Sequence, residues 1–396
     1  MDKKSFRDIE VAGKKVLLRV DFNVPMDENL NIIDDNRIMA ALPTIHYLLS
    51  NNAKLIICSH LGRPKGMSIP KFSLAPVARR LAEILGKPVE LASDAIGESA
   101  HKLIDNMQNG DIVMLENIRF YKEEEENDDL FARELASLAD VYINDAFGCA
   151  HRAHASIAGI ARHIPAVAGF LMNGEIRALS RVIERPVQPF VVILGGAKVS
   201  DKIGVIQQLI DKASVILIGG AMANTFIVAQ GGNVGMSRYE KDKVDVAKNI
   251  LALAEKKNVK IVLPVDTVVA NEFSPDAKTK TVPSYVIPDG YQGMDIGRKT
   301  AKLFKKELKN ANTIVWNGPM GVYEFKRFQT GTKAVAKAVA KSDAISVIGG
   351  GDSVAAIREL GFADKVTHLS TGGGATLKFL EGSPLPGVDL LEDKNN

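Results

Sequence analysis

Cysteine is nearly missing from this chain: Cys58 and Cys149 are the only two in 396 residues, both in apolar or small-residue settings. A structural disulfide is therefore not expected, and a reducing, cytoplasmic compartment fits this usage. Long apolar runs are missing as well. Nothing approaches the roughly twenty residues needed to cross a bilayer, and no signal peptide is expected, so no membrane partner is either. Charge of one sign is absent too. The formal net charge is +3, with 20 lysines and arginines against 24 acids in residues 1–170 and 30 against 23 in the remainder. Neither part has the bulk charge of a nucleic-acid binder, so any basic site must be local. Several site patterns are also lacking. No His/Cys spacing suggests a metal centre, and no Ser/His/Asp constellation is evident. GGAKVSDK (195–202) lacks the G-x-x-x-x-G-K-[ST] spacing of a P-loop. The first strand runs into DFNVP (21–25), where a dinucleotide-binding G-x-G-x-x-G would stand.

What is present is a composition of 46% hydrophobic and 24% charged residues, that of a soluble globular protein, in a chain long enough for two domains. In the first half, residues 16–20, 54–59, 111–115 and 141–144 read as buried strands. Helical stretches open at Arg37 and run over 74–85. This alternation predicts a doubly wound parallel sheet. The segments after the strands hold Asn23, Arg37, His60, Arg63, Arg119, His151, Arg152 and His154, and six of the seven histidines lie in this half. Surface loops carry charge as a matter of course. So many cations at equivalent strand ends point instead to one anion site, and the planar guanidinium suits a ligand bearing carboxylate and phosphate. The acidic run Glu123 to Glu126 reads as a solvated helix start.

Residues 165–189 read as the join, with a helix over 175–184 stopped by Pro186 and Pro189. Beyond it the architecture repeats, with strands expected at 190–194, 215–218, 260–263 and 313–316. Lys198 and Lys202, four apart, would share a face if a helix had begun. The strongest single signal is AISVIGGGDSVAAIREL (344–360): an apolar strand, three glycines, then Asp352 and Ser353 as N-cap types before a helix ending at Gly361. Glycine lets backbone N–H groups approach an oxyanion at a helix N-terminus. A tight turn that binds nothing would use the same residues. A second run, Gly372, Gly373 and Gly374, favours a polyphosphate or nucleotide ligand. Asp352 beside such a cradle suits Mg²⁺, which is held by one or two carboxylates plus substrate phosphates.

These blocks together closely resemble the phosphoglycerate kinase family: RVDFNVP (19–25), SHLGRPKG (59–66), LENIRF (115–120), NDAFGCAHRAHAS (144–156), LGGAKVSDKI (194–203), WNGPMGVYE (316–324), GGGDS (349–353) and STGGGA (370–375). They follow in order over nearly the full chain. The resemblance implies an α/β fold of two doubly wound, Rossmann-like parallel-sheet domains joined by a hinge helix. The first domain would be 1–172 with the tail 382–396 returning to it, the linker 173–188, and the second domain 189–381. It implies phosphoryl transfer from 1,3-bisphosphoglycerate to ADP, giving 3-phosphoglycerate and MgATP, by a monomer. Asp21 and Asn23 would meet the glycerate end, with Arg37, His60, Arg63, Arg119 and Arg152 as the basic patch and His151 and His154 at its edge. Lys202, Gly219, Gly220, Asn317, Glu324, Gly350, Gly351, Asp352 and Ser353 would bind the nucleotide, Glu324 at the ribose and Asp352 through Mg²⁺. Arg37, Lys198, Lys202, Gly351 and Gly374 would act on the transferring group. Cys149 stands where a small residue is usual and Lys378 where an acid is common; neither is expected to touch the chemistry. A non-catalytic protein on this fold would be expected to lack some of Arg37, Lys198 or Asp352, and all three are present.

An acyl phosphate is already activated, so no general base is needed. Catalysis reduces to in-line positioning and neutralisation of charge, with water excluded.

Overall fold

The computed structural model describes residues 3–394, which form two compact units, 3–177 with 384–394, and Ala178–Ser383. In the first unit, β1 (Lys15–Arg19), β2 (Lys54–Cys58), β3 (Glu90–Leu91), β4 (Ile112–Met114), β5 (Val141–Asn144) and β6 (Ala166–Ala168) form one sheet. Its order is β3-β4-β2-β1-β5-β6 and every pairing is parallel. The inner strands are covered on both faces, which is why sequences such as KLIIC at β2 and VYIN at β5 are largely apolar, whereas the edge strand β3 stays partly exposed. The helix Asn36–Ser50 buries Ile38, Ala41, Ile45 and Leu48 at helical spacing against the sheet, and the helix Ala75–Leu85 adds Val77, Ala78 and Leu81. β1 lies between β2 and β5, so strand order reverses there and leaves a crevice at the carboxyl ends of β1 and β5.

The helix Phe170–Glu184 starts five residues before its expected position and contains the boundary between the units. Asp145, just past β5, fixes its start. The buried carboxylate accepts from Met172 N at 3.0 Å and from Thr44 Oγ1 at 2.6 Å, tying this helix to Asn36–Ser50. Burial pushes the Asp145 carboxyl up to about 6 from 3.8, against the opposing pull of Thr44 and the backbone donors. An acid raised in the folded state binds its proton more tightly there than when unfolded. Its contribution is therefore greatest below about pH 4 and is lost as pH rises through about 6, by about 3 kcal/mol. We expect the difference in unfolding free energy between the native chain and Asp145→Asn to change with pH across this window. Equilibrium denaturation at pH 4.5 and 7 tests it; a pH-independent difference contradicts the assignment.

The second unit carries β7 (Phe190–Leu194), β8 (Val215–Ile218), β9 (Lys260–Val262), β10 (Asp266–Ala270), β11 (Thr279–Pro283), β12 (Gln292–Ile296), β13 (Thr313–Asn317), β14 (Ile345–Gly349) and β15 (His368–Leu369). Six of them form a parallel sheet of order β15-β14-β13-β7-β8-β9, and the remaining three an antiparallel sheet of order β11-β10-β12. Counted from the first strand of each unit, the second parallel sheet reads 3-2-1-4-5-6 and the first 3-4-2-1-5-6. The expectation of one architecture used twice thus holds for sheet type and size but not for strand order. The antiparallel sheet was not expected at all. Order reverses again between β7 and β13, which places the second crevice beside Gly195 and Asn317. Among the described residues no helix is long and apolar enough to cross a membrane.

Candidate active site

Each unit presents polar groups at its reversal point. In the first unit, Arg19 ends β1 yet is only 1% exposed, so this charge at a central strand end must be satisfied from within. Its Nε donates to Ser156 Oγ at 2.8 Å, Nη1 donates to Val20 O, and Nη2 lies 3.3 Å from His60 Nδ1. Ser156 in turn donates through Oγ and N to Glu124 at 2.7 and 2.8 Å. Glu124 is therefore fully buried, which corrects the expectation that the 123–126 run is solvated throughout. Burial raises its carboxyl, opposed by Arg19, Ser156 and Arg119.

Above this buried network lie the expected ligand groups. Arg37, in the first turn of its helix, pairs with Asp21, whose side chain is 16% exposed against 45% for the arginine. Asn23 Oδ1 accepts from Gly62 N at 2.8 Å, and Arg119 Nη1 donates to Gly62 O at 2.9 Å, so the 59–66 loop is gripped from two strand ends. Arg119 is 3% exposed and its Nε, 3.6 Å from Glu125, makes no hydrogen bond. Arg63 is exposed and Arg152 half-buried. His60 is 2% exposed; burial first, then Arg19, Arg119, Arg152 and Arg37, hold it well below the usual imidazole range. His154 is lowered to about 3 by burial and then Arg119, Arg19 and Arg152. Both rings are neutral at pH 7. Cys149, expected to stand apart from the chemistry, lies with its Sγ 4.0 Å from His60 Nδ1. A larger, open hollow of about 610 Å³ around residues 30–36 and Arg80 holds none of the expected site residues.

In the second unit a cavity of about 360 Å³ is lined by Gly196, Ala197, Gly220, Glu324 and Asp352 among others. Chain crossings here are too close for side chains: a Cβ on Gly195 would lie 2.1 Å from Pro319 O, and one on Gly318 2.3 Å from Gly195 O. Gly219 stands behind the wall, against Met320. Lys202, 9% exposed, donates from Nζ to Asn317 Oδ1, and burial lowers its ammonium, opposed by Asp201 and Glu381. The condition for Lys198 and Lys202 to share a helical face is not met, because the helix begins only at Ile203; Lys198 is exposed on the preceding loop. Gly350 (φ +86°), not Asp352 or Ser353, is the N-cap of the helix Gly351–Glu359, because the strand-to-helix turn needs a left-handed residue. Ser353 is instead buried and accepts from Gly318 N at 2.9 Å, while Asp352 is exposed in the first turn. Burial and the nearby charge of Glu324 push the Asp352 carboxyl up. The second glycine turn is adjacent: a Cβ on Gly349 would meet Thr376 Cγ2 at 2.8 Å, just beyond the exposed Gly374 that opens its own helix.

Residues not anticipated also line this cavity: Asn224, Arg238, Phe273 and Asp295. Asp295 is reached through the antiparallel sheet; it is buried, raised to about 7 by desolvation, and accepts from Gly331 N at 2.7 Å.

Arginines gathered at one sheet reversal and a glycine-walled cavity bearing carboxylates at another fit a nucleotide-using phosphotransferase of the α/β class. Comparison with known proteins makes this specific. The family model described as "Phosphoglycerate kinase" matches residues 6–383, and the chain belongs to the phosphoglycerate kinase family. Curated relatives of that name include one from Clostridium botulinum (strain Langeland), 53% identical over 99% of both chains, and one from Pelotomaculum thermopropionicum, 54% identical over 100% of both. Among solved structures it is similar to the phosphoglycerate kinases of Coxiella burnetii (TM-score 0.89, 41% identity, 98% of both chains) and Pyrococcus horikoshii OT3 (TM-score 0.84, 37%, 98% of both). The activity is reversible phosphoryl transfer from 1,3-bisphosphoglycerate to ADP, giving 3-phosphoglycerate and ATP.

Proposed function

We propose that the acid binds at the β1–β5 crevice of the first unit and the nucleotide in the glycine-walled cavity of the second. The observation that carries this division is that the exposed arginine, Arg37, has an acidic partner it can exchange, while Asp352 and Glu324 share a cavity with Gly196 and Gly220. Asp21, Asn23, Arg37, Arg63 and Arg152 meet the acid directly. His60 and Arg119, both buried, hold the loop and strand ends that carry those groups. Glu324 meets the ribose and Gly219 and Gly220 shape the base pocket. Lys202, Asn317, Gly350, Gly351 and Ser353 lie along the phosphates. Arg37, Lys198, Lys202 and the amides at Gly351 and Gly374 neutralise charge on the group in flight.

Asp352 fits a hard divalent cation: it is an exposed carboxylate at a helix start beside the glycine turn, with the carboxylate of Glu324 lining the same cavity. Mg²⁺ carried by the nucleotide would be held there and would offset phosphate charge. We expect Asp352→Asn to raise the Mg²⁺ concentration for half-maximal rate by about tenfold or more. Affinity for 3-phosphoglycerate should stay unchanged. Activity across a Mg²⁺ series, with calorimetry of the acid, checks both; an unaltered Mg²⁺ requirement removes Asp352 from the metal. We further propose a cytoplasmic monomer in which closure about the helix Phe170–Glu184 brings donor and acceptor into line. Small-angle scattering should then show compaction with both substrates and not with either alone.

A further inference from the structure

We propose that Asp21, His60 and Cys149 form an inhibitory site for a thiophilic divalent cation, zinc above all, set in the acid pocket of the first unit. The metal site rests on geometry; its inhibitory effect rests on the reading of Asp21 as part of the acid site. A carboxylate oxygen, an imidazole nitrogen and a thiol sulfur lie within 4.8 Å of one another here, with Cys149 Sγ and His60 Nδ1 4.0 Å apart. Bond lengths of ~2.3 Å to sulfur and ~2.0 Å to nitrogen put neighbouring corners of a tetrahedral zinc site roughly 3.5 Å apart. The three groups therefore need move by little more than rotamer adjustment to close on one ion. A sulfur–nitrogen–oxygen set favours zinc over the magnesium carried by nucleotides.

Access agrees, and so does the neutral imidazole, while the thiol must give up its proton. Cys149 and His60 are 3% and 2% exposed, but Asp21 opens to solvent and leaves room for water as the fourth ligand. His60 is neutral, with a lone pair to offer. The bond displaced at Nδ1 is the long 3.3 Å contact from Arg19, which keeps its bonds to Ser156 Oγ and Val20 O. On binding, the Cys149 thiol gives its proton to solvent as the sulfur–metal bond forms. The pocket therefore gains one positive charge and not two. Burial and then Asp21 push the Cys149 thiol up to about 11 against the pull of Arg19, Arg152 and Arg119. Those arginines also oppose the cation, so affinity should fall well short of a structural zinc centre. The bound ion would draw Asp21 from Arg37 and obstruct the acid.

The test uses the full-length enzyme, Zn²⁺ in the assay and Co²⁺ as an absorbing probe without nucleotide. Zn²⁺ should depress kcat/KM for 3-phosphoglycerate by about tenfold or more, reversed by chelator and relieved by excess acid. Cys149→Ala should remain active and be about tenfold less sensitive, whereas Cys58→Ala, which alters the other buried thiol, should behave as the native chain does. Co²⁺ should give a thiolate charge-transfer band with the native chain and not with Cys149→Ala. The same band on the native chain decides the matter should that variant fold poorly. Absence of the band, or equal inhibition of Cys149→Ala, overturns the site. A band that 3-phosphoglycerate fails to displace leaves the metal site standing and overturns the placement of the acid.

Discussion

Alanine at Arg37 is expected to lower kcat by about two to three orders of magnitude, the loss typical of removing one preorganised charge donor from a developing oxyanion. The guanidinium sits in the first turn of the helix Asn36–Ser50, bonded to Asp21 and otherwise open. Its partner can be exchanged for a phosphate or carboxylate oxygen without unburying anything. With side chains 45% and 16% exposed, the pair itself contributes at most about 1 kcal/mol to stability, so the variant should melt close to the native chain. Steady-state kinetics beside thermal denaturation separate the two effects. An unchanged kcat with unchanged acid affinity would show the basic patch to be misplaced.

The two lysines after β7 should separate in kinetics because the structure separates them. Lys198 is exposed on the loop, free to follow the transferring group, and Lys198→Ala should cut kcat by about two to three orders of magnitude with nucleotide KM little altered. Lys202 is desolvated and bonded to Asn317 at the end of β13. Its loss removes a charge present in ground and transition states alike and leaves Asn317 Oδ1 without its donor. Lys202→Ala should therefore raise nucleotide KM by about tenfold as well as lowering kcat. Near-normal turnover by Lys198→Ala would remove that residue from the transition state.

The central strands of the parallel sheets were legible because both their faces are covered, which writes unbroken apolar runs such as FVVIL at β7; the short β3 and β6, of two and three residues, were not. The antiparallel sheet was not. β11 (TKTVP) is largely exposed and β12 (QGMDI) buries an aspartate among few apolar residues, so neither carries a periodic apolar signal, and the cavity residues that β12 contributes went unseen. Glu124 was misread because its partners, Arg19 and Ser156, are 105 positions before it and 32 after it; composition alone makes a glutamate solvated. The Lys198–Lys202 spacing left their shared face open because four residues define a face only within a helix, and the helix begins after both. Asp352 and Ser353 have N-cap chemistry, but the turn's positive φ gave that position to Gly350.

The most direct test is a crystal structure with 3-phosphoglycerate and MgADP bound together. The acid should lie against Arg37, Asn23 and Arg152 at the ends of β1 and β5. The nucleotide should fill the cavity of Gly196, Gly220 and Glu324, its phosphates toward Lys202 and Gly351. Density for the acid away from those arginines, or for the nucleotide outside that cavity, would contradict the account.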